Sequence, residues 1–307
     1  MSLKNQIWIE KYRPDTFNGF IGQEEIVSKI KYFCQNPEKL PHLIFYSKQP
    51  GTGKTSLAKI IIKTLGCDYL ILNASDERGI DTIREKIKRF VSTMSSKPNI
   101  PKIVFLDEFD SVTKIAMDSM RNLMETYASN ARFILSLNNI EKVISPIIDR
   151  CIVFDFKLPP KEQILPKLTF ILETEKVNYQ PEAIWKVIDI YYPCIRGMIN
   201  ELQKLSIEGK ISLDIIKERE FVEKEIWELV MKRQFNIARK SWIEKGLDLR
   251  LLLTSFFNFI LKDDKLDKDV KKKLIILVAE TDWKMALGLD SDIQFSAFVV
   301  RMLEVLK

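Results

Sequence analysis

From residue 42 to residue 157, short apolar runs alternate with stretches whose apolar positions recur at helical spacing. The runs at 42–46, 68–73, 102–106, 132–137 and 152–156 read as strands. KIVFL, at 102–106, has no polar alternation, which suits a strand buried on both faces. Between the strands, 55–65, 81–93 and 116–127 read as helices. Gly66 is a natural stop for the first of them and Asp81 an N-cap for the second. Strands alternating with amphipathic helices predict an α/β domain built on a doubly wound parallel sheet.

The pattern changes at Leu158-Pro159-Pro160, beyond which no strand is predicted. Residues 162–175, 181–191 and 198–205 read as short helices, and Gly209 marks a boundary. Helical periodicity then fills 213–233, 235–245, 248–262, 267–281 and 291–306. The expected organisation is an α/β domain over 1–157, a small helical domain over 158–209 and an all-helical domain over 210–307.

Composition removes several function classes. No apolar run approaches the roughly 18 residues of a membrane span. The N-terminus lacks an apolar signal core, so a cytoplasmic protein without a membrane partner is expected. Cysteines 34, 67, 151 and 194 have no zinc-ligand spacing. The single histidine, His42, speaks against a histidine-based triad or a histidine-rich metal site, and its place before LIFY suggests a structural role. A net charge of +6 permits a nucleic-acid partner without requiring one.

The stretch 46–59, YSKQPGTGKTSLAK, carries the chemistry. It nearly spells the phosphate-binding pattern G-x-x-x-x-G-K-[ST], with Gly53, Lys54 and Thr55 in place and the opening glycine missing at the Ser47-Lys48 strand exit. It leaves a predicted buried strand and enters a predicted helix, the context such a loop needs. Pro50, Gly51, Thr52, Gly53, Lys54, Thr55 and Ser56 would wrap the phosphates. Gly51 and Gly53 let the backbone N–H groups approach the anion. Lys54 would reach the β- and γ-phosphates and Thr55 would offer a hydroxyl to Mg²⁺. Ser47, at the strand exit, is tolerable if its backbone angles are ordinary. A second motif, IVFLDEFD, ends a later strand in two acids. Asp107 would hold Mg²⁺ and Glu108 would polarise the attacking water. The bland alternative, a lysine-rich turn and a surface acid pair, leaves unexplained why both motifs end buried strands.

The order WIEKYRPDTF, GQEE, PGTGKTS, NASDERGIDTIREKIKRF, FLDEFD, SLNN and DRC resembles the small ATPase subunits of sliding-clamp loaders, the replication factor C small subunits and their phage counterparts. The likeness is specific from about Trp8 to Arg196, and Ser47 resembles the phage proteins more than the cellular ones. It implies an AAA+ P-loop domain, a helical lid and a helical collar that joins subunits, the C-terminal third resembling that collar only in helical character and position. Tyr12, Arg13 and Pro14, with Ile21 and Gly22, would frame the adenine of ATP, although WIEKYRP could equally be an arm packed on the domain. Asn138 would be the sensor of the γ-phosphate, and Arg196, in CIRGMIN, the second sensor on the lid. Arg150 would be the arginine finger offered to a neighbouring subunit. Asp149 replaces the family's serine there and would either pair with Arg150 or stay solvated. Met117 stands where the family often has glutamine.

Arg84 and Lys88 lie at i and i+4 on a face opposite Ile83, Ile87 and Phe90. Alone, such a stripe is usually a solvated face. With the resemblance, it becomes a set of phosphate contacts to primer–template DNA, joined by Thr113 and Lys114. A clamp-binding surface is expected near Met117–Met124. The implied partners are a sliding clamp, primer–template DNA and other loader subunits in a pentameric hetero-oligomer, in the cytoplasm of the cell or of a phage's host. Two other readings compete: a different AAA+ machine such as a Holliday-junction branch-migration motor, and a non-enzymatic scaffold of the same fold.

Overall fold

The computed structural model describes residues 7–75, 80–207, 209–264 and 266–306, without the side chains of 80–83, 215–221 and 286. Four of the nine residues of NASDERGID, Asp76 to Gly79, and the side chains of Ile80, Asp81 and Ile83 therefore lie outside what is described. The chain divides into two compact units, Met1–Ile211 and Ser212–Lys307.

The first unit is built on a five-stranded parallel sheet in the order β2-β3-β4-β1-β5. The strands are β1 (His42–Tyr46), β2 (Tyr69–Asn73), β3 (Lys102–Asp107), β4 (Ala131–Leu137) and β5 (Cys151–Asp155). All five were expected from the apolar runs. The helices around them are α1 (Trp8–Lys11), α2 (Glu24–Gln35), α3 (Lys54–Leu65), α4 (Ile80–Ser92), α5 (Lys114–Thr126) and α6 (Ser145–Ile148). Because α4 begins at Ile80, Asp81 falls inside its first turn and is not its N-cap.

The two faces of the sheet explain the absence of alternation. Ile103 and Phe105 pack with Leu43, Phe45 and Ile134 against α2 and α3. Val104 and Leu106, one residue out of phase, pack with Phe133, Leu135 and the methionines of α5 on the other face. The central strands β1, β3 and β4 therefore need apolar residues at successive positions, while the edge strands β2 and β5 are partly exposed. Met117, Met120 and Met124 are at most 2 % exposed, so they are core and cannot form a clamp-binding surface.

Helices α7 (Lys161–Thr174), α8 (Pro181–Tyr191) and α9 (Ile195–Ser206) complete the unit. Two short strands, β6 (Asn178–Tyr179) and β7 (Lys210–Ile211), pair in parallel beside them. The expectation of no strand beyond 158 fails there, because two residues are too short to leave a periodic signal. Gln23 ties α2 to the start of this region: its side-chain carbonyl accepts from Lys157 N at 3.2 Å and its amide donates to Lys157 O.

The second unit holds α10 (Leu213–Met231), α11 (Phe235–Lys245), α12 (Leu249–Lys262), α13 (Lys268–Ala286) and α14 (Ser291–Val305). Their common core includes Trp227, Trp242, Phe256, Phe295 and Phe298. Trp242 stacks on Phe295 at 4.6 Å while its indole N–H donates to Leu247 O at 2.8 Å. That bond lets the large ring be buried without an orphaned donor. Among the described residues, no helix is long and apolar enough to cross a membrane.

Candidate nucleotide site

The sheet order places the carboxyl ends of β1, β3 and β4 side by side, the usual position for ligands on an open α/β sheet. A cavity of about 350 Å³ opens there. Its wall includes Tyr12, Arg13, Pro14, Ile21, every residue from Pro50 to Ser56, Asp107, Glu108, Asn138 and Arg196. Gly22 is absent from that wall. Its φ is +67°, and a Cβ there would come 3.0 Å from Pro159 Cβ, so its smallness serves a close backbone approach to residues near 159.

The loop itself obeys the physics of an anion cradle. Gly51 and Gly53 have φ of +81° and +100°, angles that glycine adopts without penalty. The described non-glycine residues with positive φ are Gln23, Asn99, Glu108, Lys176 and Arg233. Counted back from Gly53, the pattern's first glycine falls on Lys48 and not on Ser47; neither is among them, so the missing glycine costs no strain. Ser47 N donates to Leu137 O at 3.3 Å, and its hydroxyl accepts from Gln49 N at 3.3 Å. The backbone bond fastens the loop's entry to β4, and the serine hydroxyl holds the turn at Gln49.

Lys54 is 8 % exposed and its Nζ donates to Asn138 Oδ1 at 2.7 Å. Burial pushes its ammonium down to about 8, against the pull of Asp107 and Asp110; the charge of Arg196 pushes the same way as burial. An anion between Lys54 and Arg196 would relieve both effects. Thr55 Oγ1 donates to Asp107 Oδ2 at 2.9 Å, while Ser136 Oγ donates to Asp107 Oδ1. Asp107 is thereby fixed from two sides. Glu108, next in the chain, adopts a left-handed backbone (φ 55°, ψ 40°), a conformation that costs a non-glycine residue on the order of 1–3 kcal/mol. Its amide donates to Ser136 Oγ at 3.4 Å, and its carbonyl accepts from Ser111 N at 2.9 Å. Asp110 accepts from Asn138 N at 3.3 Å and Asn139 N at 3.0 Å, which holds the exit of β4.

Two observations fit a nucleotide with Mg²⁺. The Thr52 hydroxyl, in a residue 6 % exposed, is buried on the cavity wall without a hydrogen-bond partner. The oxygens of Thr55 and Asp107 are the hard donors that Mg²⁺ takes alongside substrate phosphates. Among the described residues, no cluster of three or more His, Cys, Asp or Glu could hold a metal alone.

Several wall residues escaped the sequence reading: Ile9, Phe20, Lys59, Ser136, Lys167, Ile195 and Ile199. Phe20 is the most consequential, because its ring occupies the space a Gly53 side chain would need.

The remaining predicted residues lie outside the cavity wall. Arg84 and Lys88 are exposed on α4. Thr113 and Lys114 are exposed at the start of α5, where Thr113 is also the N-cap and accepts from Ala116 N at 3.4 Å. Arg150 does have an in-chain partner, but the partner is Glu125, not Asp149. Arg150 Nη2 pairs with Glu125, and Nη1 donates to Pro146 O at 2.6 Å. The carboxylate came from a helix 25 residues away, which adjacency in sequence could not reveal.

Comparison with known proteins agrees with this geometry. The family model "ATPase family associated with various cellular activities (AAA)" matches residues 44–158, and the model "Replication factor C C-terminal domain" matches residues 220–301. The chain is 38% identical to the Replication factor C small subunit of Staphylothermus marinus, over 96% of this chain and 94% of that protein. It is 36% identical to that of Aeropyrum pernix, over 97% and 96%. Among solved structures, the RuvB Holliday junction branch migration motor of Thermotoga maritima has a TM-score of 0.57 at 17% identity, over 77% of this chain and 86% of that one. A likeness that remote shows the AAA+ fold alone. The near full-length identity and the C-terminal match go further: the chain belongs to the replication factor C small-subunit family of clamp-loader AAA+ ATPases, and it binds and hydrolyses ATP.

Proposed function

We propose that this ATPase opens a ring-shaped sliding clamp, grips primer–template DNA and releases the closed clamp on hydrolysis. One observation carries the reading: Lys54, Thr55, Asp107, Glu108, Asn138 and Arg196 line a single cavity in a chain of this family. In this reading residues 1–157 bind the nucleotide, 158–209 act as a lid and 210–307 as a collar. Tyr12, Arg13, Pro14 and Ile21 frame the adenine. Thr55 and Asp107 hold Mg²⁺, which neutralises phosphate charge when bound. Glu108 accepts a proton from the attacking water. Asn138 and Arg196 sense the γ-phosphate, Arg196 from the lid, so that nucleotide state shifts the population of lid positions.

Arg150 acts in the site of a neighbouring subunit and must exchange Glu125 for that subunit's phosphates. Both partners are more than a third exposed, so the exchange costs little. Arg84, Lys88, Thr113 and Lys114 supply phosphate contacts that grip duplex without reading bases. Ile276, Trp283, Ile293 and Val300 are 48–65 % exposed on the helical unit, which supports contact with other loader subunits, in a pentameric hetero-oligomer.

Steady-state ATPase of the protein, alone and with primer–template DNA or a four-way junction, tests the reading. Stimulation by the primer–template is expected. Stimulation by the junction alone would support a branch-migration motor instead.

A further inference from the structure

The N-terminal arm meets the lid at two places. Tyr12, 8 % exposed, lines the nucleotide cavity, and its phenol donates to Glu175 Oε1 at 2.6 Å. Lys11 Nζ lies 2.7 Å from the same oxygen. Glu175 is the C-cap of α7. At the second place, Trp8 N donates to Gln203 Oε1 at 3.0 Å, on the α9 helix that also carries Arg196. The Tyr12 ring meets Trp8 at 6.5 Å and Phe170 of α7 at 6.3 Å through edge contacts, and Lys11 Nζ lies 5.3 Å from its centroid. Such contacts fill space but leave the ring's tilt weakly defined; a bond from its hydroxyl to a carboxylate defines it. Burial, then the bond to Glu175, raises the phenol's pKa, so it keeps its proton and remains the donor.

We propose that Glu175 is a positioning residue for ATP: it fixes Tyr12 as a wall of the cavity and thereby ties the base-side wall to the lid. The inference rests on reading Tyr12 as part of the adenine frame. Glu175 does not touch the reacting atoms, so its removal should change binding and not chemistry. A hydrogen bond to a charged acceptor is among the stronger kinds. Replacing Glu175 by Leu, which has no acceptor, should therefore weaken ATP binding by about five- to thirty-fold. Lys11 reaches the same oxygen from a side chain 35% exposed, where an ion pair contributes little, and it does not line the cavity.

The test measures the Kd of a fluorescent ATP analogue, with KM, kcat and melting temperature, for wild type and variants. Glu175→Leu and Tyr12→Phe should each raise Kd and KM by about five- to thirty-fold, with kcat within about twofold. The double variant should be no worse than either single one, because both remove the same bond. Lys11→Met should stay within about twofold of wild type. If Glu175→Leu is too unstable to assay, Tyr12→Phe alone carries the test. Wild-type affinity in Glu175→Leu, with affinity lost in Tyr12→Ala, would overturn the role of Glu175 while keeping the adenine frame. Wild-type affinity in Tyr12→Ala would overturn the frame itself. A lowered kcat at unchanged KM would also overturn the proposal, since it would mean a general structural effect.

Discussion

Gly53→Ala sets two constraints on the phosphate loop against each other. Gly53 has φ of +100° and ψ of 2°, and a Cβ there would lie 2.5 Å from Phe20 Cζ and 2.9 Å from Cε2. The backbone strain should cost about 1–3 kcal/mol. The overlap should cost a similar amount, about 1–3 kcal/mol, because Phe20 packs against the α2–α3 core and can only yield by repacking. The sum, about 2–6 kcal/mol, will be divided between lost stability and lost ATP affinity. Phe20→Ala in the same chain removes the overlap but not the strain, so the double variant should recover about half. Urea unfolding and ATP titration of the four proteins measure both parts. Wild-type stability and affinity in Gly53→Ala would refute the reasoning, and full recovery in the double variant would show that φ carries no strain.

Other consequences are as direct. Burial, with Arg132 adding to it, pushes His42 down to about 4. The neutral ring accepts from Phe133 N at 3.0 Å and joins β1 to β4. The folded pKa lies below the unfolded value near 6.5, so the unfolded chain takes up the proton first. Stability should be unaffected by this residue above about pH 6.5 and should fall as pH drops toward 4, by about 3 kcal/mol in all. His42 is the chain's one histidine, so its NMR titration is unambiguous, and a midpoint near 6.5 would contradict the account. Arg150→Ala should leave ATP affinity within about twofold and cut hydrolysis in assemblies by about 10³-fold or more. Glu125→Gln, which removes only the in-chain acceptor, should not reproduce that loss; an unaffected Arg150→Ala assembly would rule out the finger. Replacing Arg84 and Lys88 together by Ala should lower the salt slope of DNA binding by about 1.8, that is, about 0.9 for each phosphate contact. An identical slope would remove those contacts from the account.

The parts of the fold legible in the sequence were those with strong local signals. The central strands announced themselves because burial on both faces leaves few polar positions, whereas β2 and β5, at the sheet edges, are apolar runs that stay partly exposed. The phosphate loop and the Asp107-Glu108 pair were legible because phosphate and Mg²⁺ demand particular residue types at fixed spacing. Helix α2 was overlooked although Ile26, Ile30 and Phe33 carry helical spacing. What could not be read were contacts created by strand order. Ser136 reaches Asp107 only because β4 lies beside β3, and Phe20 covers Gly53 only after the chain has returned to the loop. The methionines of α5 show the converse limit. An amphipathic spacing says that one face is apolar, but not whether a partner or the protein's own sheet will cover it.

Hydrolysis of bound ATP by Glu108→Gln tests the central claim most directly, that this cavity both holds ATP and activates the water. The substitution keeps the size of the side chain and removes its ability to accept a proton. The account predicts ATP affinity within about threefold of wild type and single-turnover hydrolysis slower by about 10²- to 10⁴-fold, the range expected for loss of a general base. Hydrolysis at the wild-type rate would place the catalytic base elsewhere and contradict the account.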